Sequence, residues 1–187
     1  MKSSSSLSGR NPRLLIFSAL MAALTAIGAY IMIPLPISPV PVTLQNLFVV
    51  LSGMLLGAKA GFLSQIIYLA LGLVGLPVFA GGTAGVGVLF SPTGGYLMAF
   101  PLAAYVIGKM SGGNLKIDAV SASIGMILIY VLGASFMVAF WDFSPVQALS
   151  AGVFPFIPGD IFKVVVAVAI RVSMPAALMN RLEITAG

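Results

Sequence analysis

Asp160 and Lys163 stand three residues apart in a stretch that is otherwise apolar, Ile157 to Ile170. On a helix that spacing puts both side chains on one face. An ionised carboxylate only accepts hydrogen bonds and an ammonium only donates them, so the pair offers a polar ligand both kinds of contact. A charge inside an apolar helix costs several kcal/mol unless it is paired or faces a wet cavity, which makes the pair a functional candidate. A simple ion pair that satisfies itself, with Asp160 favourable at a helix N-terminus, is the competing reading. The two coincide if the pair is shared with a ligand. Arg171, further along the same stretch, is expected to snorkel or to pack into a bundle, with a partner contact as the alternative.

Three neutral sets accompany the pair. Thr43, Gln45 and Asn46 follow a proline run and offer uncharged hydrogen bonds, with helix capping by Thr43 as the plainer role. Ser91-Pro92-Thr93-Gly94-Gly95-Tyr96 sets small residues at the start of an apolar run, where the amides of a helix N-terminus can hold an anion. An ordinary N-cap by Ser91 or Thr93 is the alternative. Tyr30, Phe79, Phe90 and Tyr96 can wall an apolar pocket, or anchor span ends at the membrane interface. The chain has no histidine, no cysteine and only four acidic residues, which leaves no catalytic base of the usual kind and no metal site. No G-x-x-x-x-G-K-[ST] run binds nucleotide phosphates, and the glycines from Gly81 to Gly87 do not make a dinucleotide fingerprint. No catalytic residue and no cofactor are therefore expected.

These residues must be positioned by a membrane scaffold. Of 187 residues, 60% are hydrophobic and only 7% charged, against about 25% charged in soluble domains. Crossing the hydrocarbon core takes about 20 residues of helix. The expected spans are Leu14–Ile33, Leu44–Leu56 (short), Phe62–Phe79, Gly94–Ile107, Ile117–Phe140 and Gly159–Met179. The turn Gly57-Ala58-Lys59-Ala60-Gly61 separates the second and third. Ala80–Thr93 and Trp141–Pro155 read as loops. The whole chain, 1–187, is expected to be one integral membrane domain, all-α with six transmembrane helices, preceded by a polar, cytoplasmic segment 1–13. Lys2, Arg10, Arg13, Lys59, Lys109, Lys116 and Arg181 then fall on one side, which the positive-inside rule makes cytoplasmic, with both termini. The net charge of +5 is thus explained by membrane orientation, not by nucleic acid. The three loops on the other side are apolar and rich in Pro or Gly. They are expected either to fold back as a cover or to lie in the interfacial layer.

Four stretches resemble the signatures of the BioY family: Pro34-Leu35-Pro36-Ile37-Ser38-Pro39-Val40-Pro41-Val42-Thr43-Leu44-Gln45, Gly75-Leu76-Pro77-Val78-Phe79-Ala80-Gly81-Gly82, Pro92-Thr93-Gly94-Gly95-Tyr96 and Pro158-Gly159-Asp160-Ile161-Phe162-Lys163. The resemblance implies the fold of an S component of an energy-coupling factor (ECF) transporter, with biotin held near the outer face. It implies a bacterial inner or plasma membrane location. It also implies three partner subunits, a transmembrane coupling protein and two ATPases, which reorient the S component to release biotin inside. Ala19 and Ala23, with Ala22 and Ala26 beside them, match the family's small-residue stripe for docking the coupling protein, a smooth face that another helix can approach closely. Asp160 and Lys163 match its acid and amine. The ligand set that follows is Asp160, Lys163, Gln45, Asn46, Phe79, Ser91, Thr93, Gly94, Gly95, Tyr96 and Tyr30. Biotin's ureido group suits the Asp160–Lys163 pair, with its carboxylate on the Thr93-Gly94-Gly95 amides. The reversed pose, carboxylate on Lys163, is equally compatible. An S component for another vitamin, or a secondary transporter working alone, are the rival functions.

Overall fold

The structure, a computed structural model, describes residues 12–175 and 177. Pro12 and Arg13 belong to the first helix and not to the polar leader. The rest of that leader, with Lys2 and Arg10, lies outside the described residues, as does Arg181.

Helix α1 (Pro12–Tyr30) opens on a proline, which is favourable in a first turn because its missing N–H needs no partner there. It stops three residues before the expected Ile33. Met32–Ile33 (β1) instead pairs antiparallel with Val42–Thr43 (β2), so the proline run 34–41 is closed into a tight loop. Prolines cannot continue a helix and have no N–H to donate, which makes this loop a natural stop. The N–H of Leu44 bonds the carbonyls of Gly28 and Ile31, both at 3.1 Å, and so ties the end of α1 to the start of the next helix.

Helix α2 (Gln45–Leu73) is two helical limbs joined at Gly57, where the chain turns back on itself with a φ of 76° and ψ of 179° that only glycine adopts easily. Gln45 bonds Tyr68 across the hairpin. In a straight helix those residues would be about 34 Å apart, at roughly 1.5 Å per residue. Gln65 Nε2 reaches Ser52 Oγ at 3.2 Å. Gly61 is not part of a loose turn, as the sequence suggested. It is helical, and a Cβ there would stand 2.9 Å from the Cα of Gly53, so the paired glycines let the limbs touch. The two limbs are the second and third spans.

Helices α3 (Gly94–Met110), α4 (Leu115–Phe140) and α6 (Ile157–Ser173) complete the bundle. Among the described residues the chain therefore crosses six times: α1, the two limbs of α2, α3, α4 and α6. It is an all-α, multi-pass membrane protein. α1 and α4 are each long and apolar enough to span on those grounds alone, whereas α2 is so only when its two limbs are taken as one helix; α3 and α6 are shorter, at 17 residues each. Glycines set the spacing here too: Gly125 receives the Ile107 side chain and Gly133 the ring of Tyr96.

The segment Trp141–Pro155 is not a plain loop. It contains α5 (Pro145–Gly152), started by a reciprocal capping box between Ser144 and Gln147 and bent 53° from α6. Ala80–Thr93 likewise holds two short 3₁₀ turns, Ala80–Gly82 and Val86–Phe90. Trp141 Nε1 donates to the Phe90 carbonyl at 3.0 Å, fastening the end of α4 to this segment. At the opposite end of the bundle Arg13, Lys59, Lys109 and Lys116 are all exposed. Asp118 is buried there and accepts from the N–H groups of Gly112 and Gly113 at 3.1 and 3.3 Å. Arg171 packs into the bundle, with its guanidinium beside Gly113.

Candidate functional site

Most of the segments that carried candidate ligand residues converge at one end. The proline loop, the first turn of α2, the segment 79–93 and the start of α3 enclose a cavity of about 270 Å³ together with α4, the α5–α6 junction and α6. That is near the lower end of the roughly 300–1,000 Å³ of small-molecule pockets.

One side of the cavity is apolar and aromatic. Phe79 is buried because Gly72 has no side chain where its ring sits. Its ring meets Tyr68 edge-on at 5.5 Å, and Tyr68 stacks on Phe100 at 6.5 Å. Tyr96, Leu97 and Phe156 add to this wall, and Pro39, Val40 and Pro41 cover it from the loop.

The polar groups fall into two sets. Lys163 faces the cavity, although it is only 4% exposed. Its Nζ donates to Asp160 Oδ1 at 2.6 Å, and an ammonium has three donors, so two remain for the cavity. Asp160 Oδ2 accepts from the Tyr130 hydroxyl at 2.5 Å and from Asn46 Nδ2 at 3.3 Å. The carboxylate is thus held by α2, α4 and its own helix at once. Gln45 donates through Nε2 to Tyr68, which donates to the Val78 carbonyl at 3.2 Å. This leaves Gln45 one further amide hydrogen. This first set is rich in donors.

The second set is Ser91 and Thr93. Ser91 Oγ donates to the Val88 carbonyl at 2.7 Å and lies 2.7 Å from Thr93 Oγ1. With its own hydrogen engaged, Ser91 receives that of Thr93, so the pair presents acceptors to the cavity.

Seven of the eleven residues in the expected ligand set line the cavity, Gln45, Asn46, Phe79, Ser91, Thr93, Tyr96 and Lys163, and so does Thr43, whose hydroxyl is bonded to Gln45. Four do not. Asp160 stands behind the lysine and lines a separate void between α4 and α6. Its carboxylate is turned toward Tyr130, a partner on another helix that i,i+3 spacing cannot reveal. Gly94 and Gly95 serve packing: a Cβ on either would collide with the Leu89 backbone or with Phe136. The Gly94 N–H is already bonded to the Ser91 carbonyl at 2.9 Å, so it offers no anion site as it stands. Tyr30 is exposed and bonds the Pro77 carbonyl outside the cavity. Phe90, the other aromatic candidate, is 69% exposed. Tyr130 was missed. Its signal was a hydroxyl in the middle of an apolar span, which needs a partner. Of the small-residue stripe in α1, Ala19 and Ala23 are exposed, Ala22 is buried and Ala26 lies between. The stripe therefore shows only its Ala19–Ala23 edge.

Fold and cavity together define a polytopic helical membrane protein with a cavity lined in part by its own loops. Known proteins resemble it closely. The chain matches the BioY family over residues 1–180. It is 44% identical to a probable biotin transporter BioY of Pyrococcus horikoshii, over 81% of this chain and 90% of that one. It is 43% identical to the biotin transporter BioY of Thermotoga maritima, over 90% and 99% of the two chains. Its structure resembles the crystal structure of an S component for biotin from an ECF-type ABC transporter, with a TM-score of 0.79, 31% identity and coverage of 88% and 93%. The chain belongs to the BioY family.

Proposed function

We propose that this chain is the biotin-binding S component of an ECF-type ABC importer, and that the cavity under the proline loop is its biotin site. The observation that carries the reading is a buried ammonium, Lys163, facing a cavity with two hydrogens to give and its counter-ion already engaged behind it. Biotin needs donors at both of its ends, for the ureido carbonyl and for the carboxylate, and acceptors for its two ureido N–H groups. Lys163, Asn46 and Gln45 supply donors. Ser91 and Thr93 supply acceptors, and the Phe79–Tyr96–Phe156 side suits the thioether ring and the valeryl chain.

Asp160 acts here as a positioning residue for Lys163, not as a direct ligand. The relatives' names as biotin transporters and the S component for biotin among solved structures support the choice of vitamin. The exposed Arg13, Lys59, Lys109 and Lys116 support a cytoplasmic assignment for the end opposite the cavity, with both termini inside a bacterial plasma membrane. On this reading the whole chain is one substrate-binding membrane domain that performs no catalysis and needs no cofactor. A coupling protein docks on the Ala19–Ala23 edge and two ATPase subunits drive release.

The test is titration of the purified chain with biotin, biotin amide and other vitamins, in wild type and Lys163→Met. Saturable one-to-one binding of biotin alone, weakened in the variant, is expected. A wild type that ignores biotin but binds another vitamin refutes the assignment. The same data orient the ligand. If the carboxylate meets Lys163, the variant loses its preference for biotin over the amide; if the ureido end does, the preference survives.

A further inference from the structure

Tyr130 borders two separate voids. One is the cavity just described. The other is a fissure of about 220 Å³ between α4 and α6, lined by Met126, Ile127, Ile161, Val164 and Val165 with Asp160 at its inner end. Tyr130 alone among the described residues lines both. The ion pair straddles the same boundary, with Lys163 on the cavity side and Asp160 on the fissure side. Tyr130 and the ion pair thus stand together at the partition, joined by the Tyr130 hydroxyl on Asp160, with Phe156 on the cavity side and Ile157 on the fissure side where α6 begins.

The fissure opens away from the bundle axis. Ile127, Ile161 and Val165 at its mouth are 58%, 60% and 60% exposed, a surface that in a spanning helix meets hydrocarbon. An apolar slot open to lipid and a polar-ended cavity thus lie back to back. Hydrocarbon chains can fill such slots without desolvating a polar group, whereas the cavity has to keep them out if it is to hold a short polar-ended molecule.

We propose that Tyr130 is a specificity-determining residue: its ring closes the site laterally against the bilayer, and so limits the ligand to molecules without an alkyl extension. This rests on the biotin reading above. Removing the ring joins the two voids and lets a chain attached to the ligand leave through the fissure into hydrocarbon. The hydroxyl serves a different purpose, holding Asp160, so Phe at this position keeps the partition and Ala or Leu does not.

The experiment titrates the full chain, purified in lipid nanodiscs, with biotin and with two octyl derivatives. One carries the octyl group as an amide on the carboxylate, the other on a ureido nitrogen. Wild type should bind biotin and reject both derivatives, and Tyr130→Phe should likewise reject both, whatever it loses in biotin affinity through Asp160. Tyr130→Ala should gain at least tenfold in affinity for the derivative whose chain emerges beside residue 130. Tyr130→Leu provides the same test if the alanine variant does not fold. Adding Val164→Trp, which fills the fissure, should cancel the gain. Folded Ala and Leu variants that reject both derivatives, whether or not they keep biotin, overturn the inference, as does an equal gain in Tyr130→Phe or a gain unaffected by Val164→Trp. Failure of wild type to bind biotin is a separate result, which removes the biotin reading and this inference with it.

Discussion

Asp160 and Lys163 should respond unequally to loss of the partner. Each is nearly fully buried, at 3% and 4% exposure. If Lys163 is replaced by Met, Asp160 keeps two donors, Tyr130 and Asn46 Nδ2. If Asp160 is replaced by Ala, Lys163 loses the one acceptor the structure gives it. Breaking a buried pair so as to strand a charge costs about 3–5 kcal/mol. A carboxylate that retains charge-stabilising hydrogen bonds should lose less, about 1–3 kcal/mol. Asp160→Ala is therefore expected to destabilise the protein by about 2 kcal/mol more than Lys163→Met does. The double variant should recover part of the loss, because no charge is then left alone. Thermal unfolding of the three variants in one detergent, without ligand, measures this. Biotin titration adds a second axis: Lys163→Met removes a charge-assisted donor, about 1.5–3 kcal/mol or roughly ten- to 150-fold in affinity. A lysine variant as unstable as the aspartate variant, or a double variant worse than both, would refute the asymmetry and the positioning role given to Asp160.

Other expectations follow from single positions. Gly57→Ala forces a Cβ into a backbone conformation close to glycine-only and should cost about 1–3 kcal/mol, seen as a lower melting temperature and reduced yield. Gly72→Ala puts a methyl where the Phe79 ring lies. It should weaken biotin binding by displacing that wall, with an overpacking cost of about 1–3 kcal/mol in the unfolding curve. Unchanged affinity would show that Phe79 does not shape the site. Ala19→Leu with Ala23→Leu changes only exposed positions. Biotin binding to the purified chain should stay the same while ATP-dependent uptake in cells falls at least tenfold. Uptake at the wild-type level would place the coupling surface elsewhere.

The fold was readable where physics is local. Apolar runs, Leu44–Leu56 and Gly94–Ile107 being short ones, gave the six crossings together with the one-sided placement of Lys and Arg, and the proline run 34–41 ended α1 because prolines cannot extend a helix. Boundaries were less readable. Gly57 and Gly61 look alike in sequence, yet one makes the turn through its φ and the other makes contact through its missing side chain. The short helix α5 hid behind Pro145, although Ser144 and Gln147 carried a capping-box signal. Within the site, the i,i+3 spacing gave the Asp160–Lys163 pair. Which member faces the cavity depends on Tyr130 and Asn46, which come from helices far away in the chain. Gly94 and Gly95 suggested an anion site because an open helix start and a packing contact both ask for glycine, and only the nearby Leu89 and Phe136 decide between them.

A structure determined at saturating biotin tests the central claim most directly. The account predicts ligand density inside the cavity, flanked by Phe79 and Tyr96, with one polar end within about 3 Å of Lys163 Nζ and Asp160 still bonded to Tyr130. A cavity left empty at saturation, or biotin bound anywhere that Lys163 cannot reach, would contradict it.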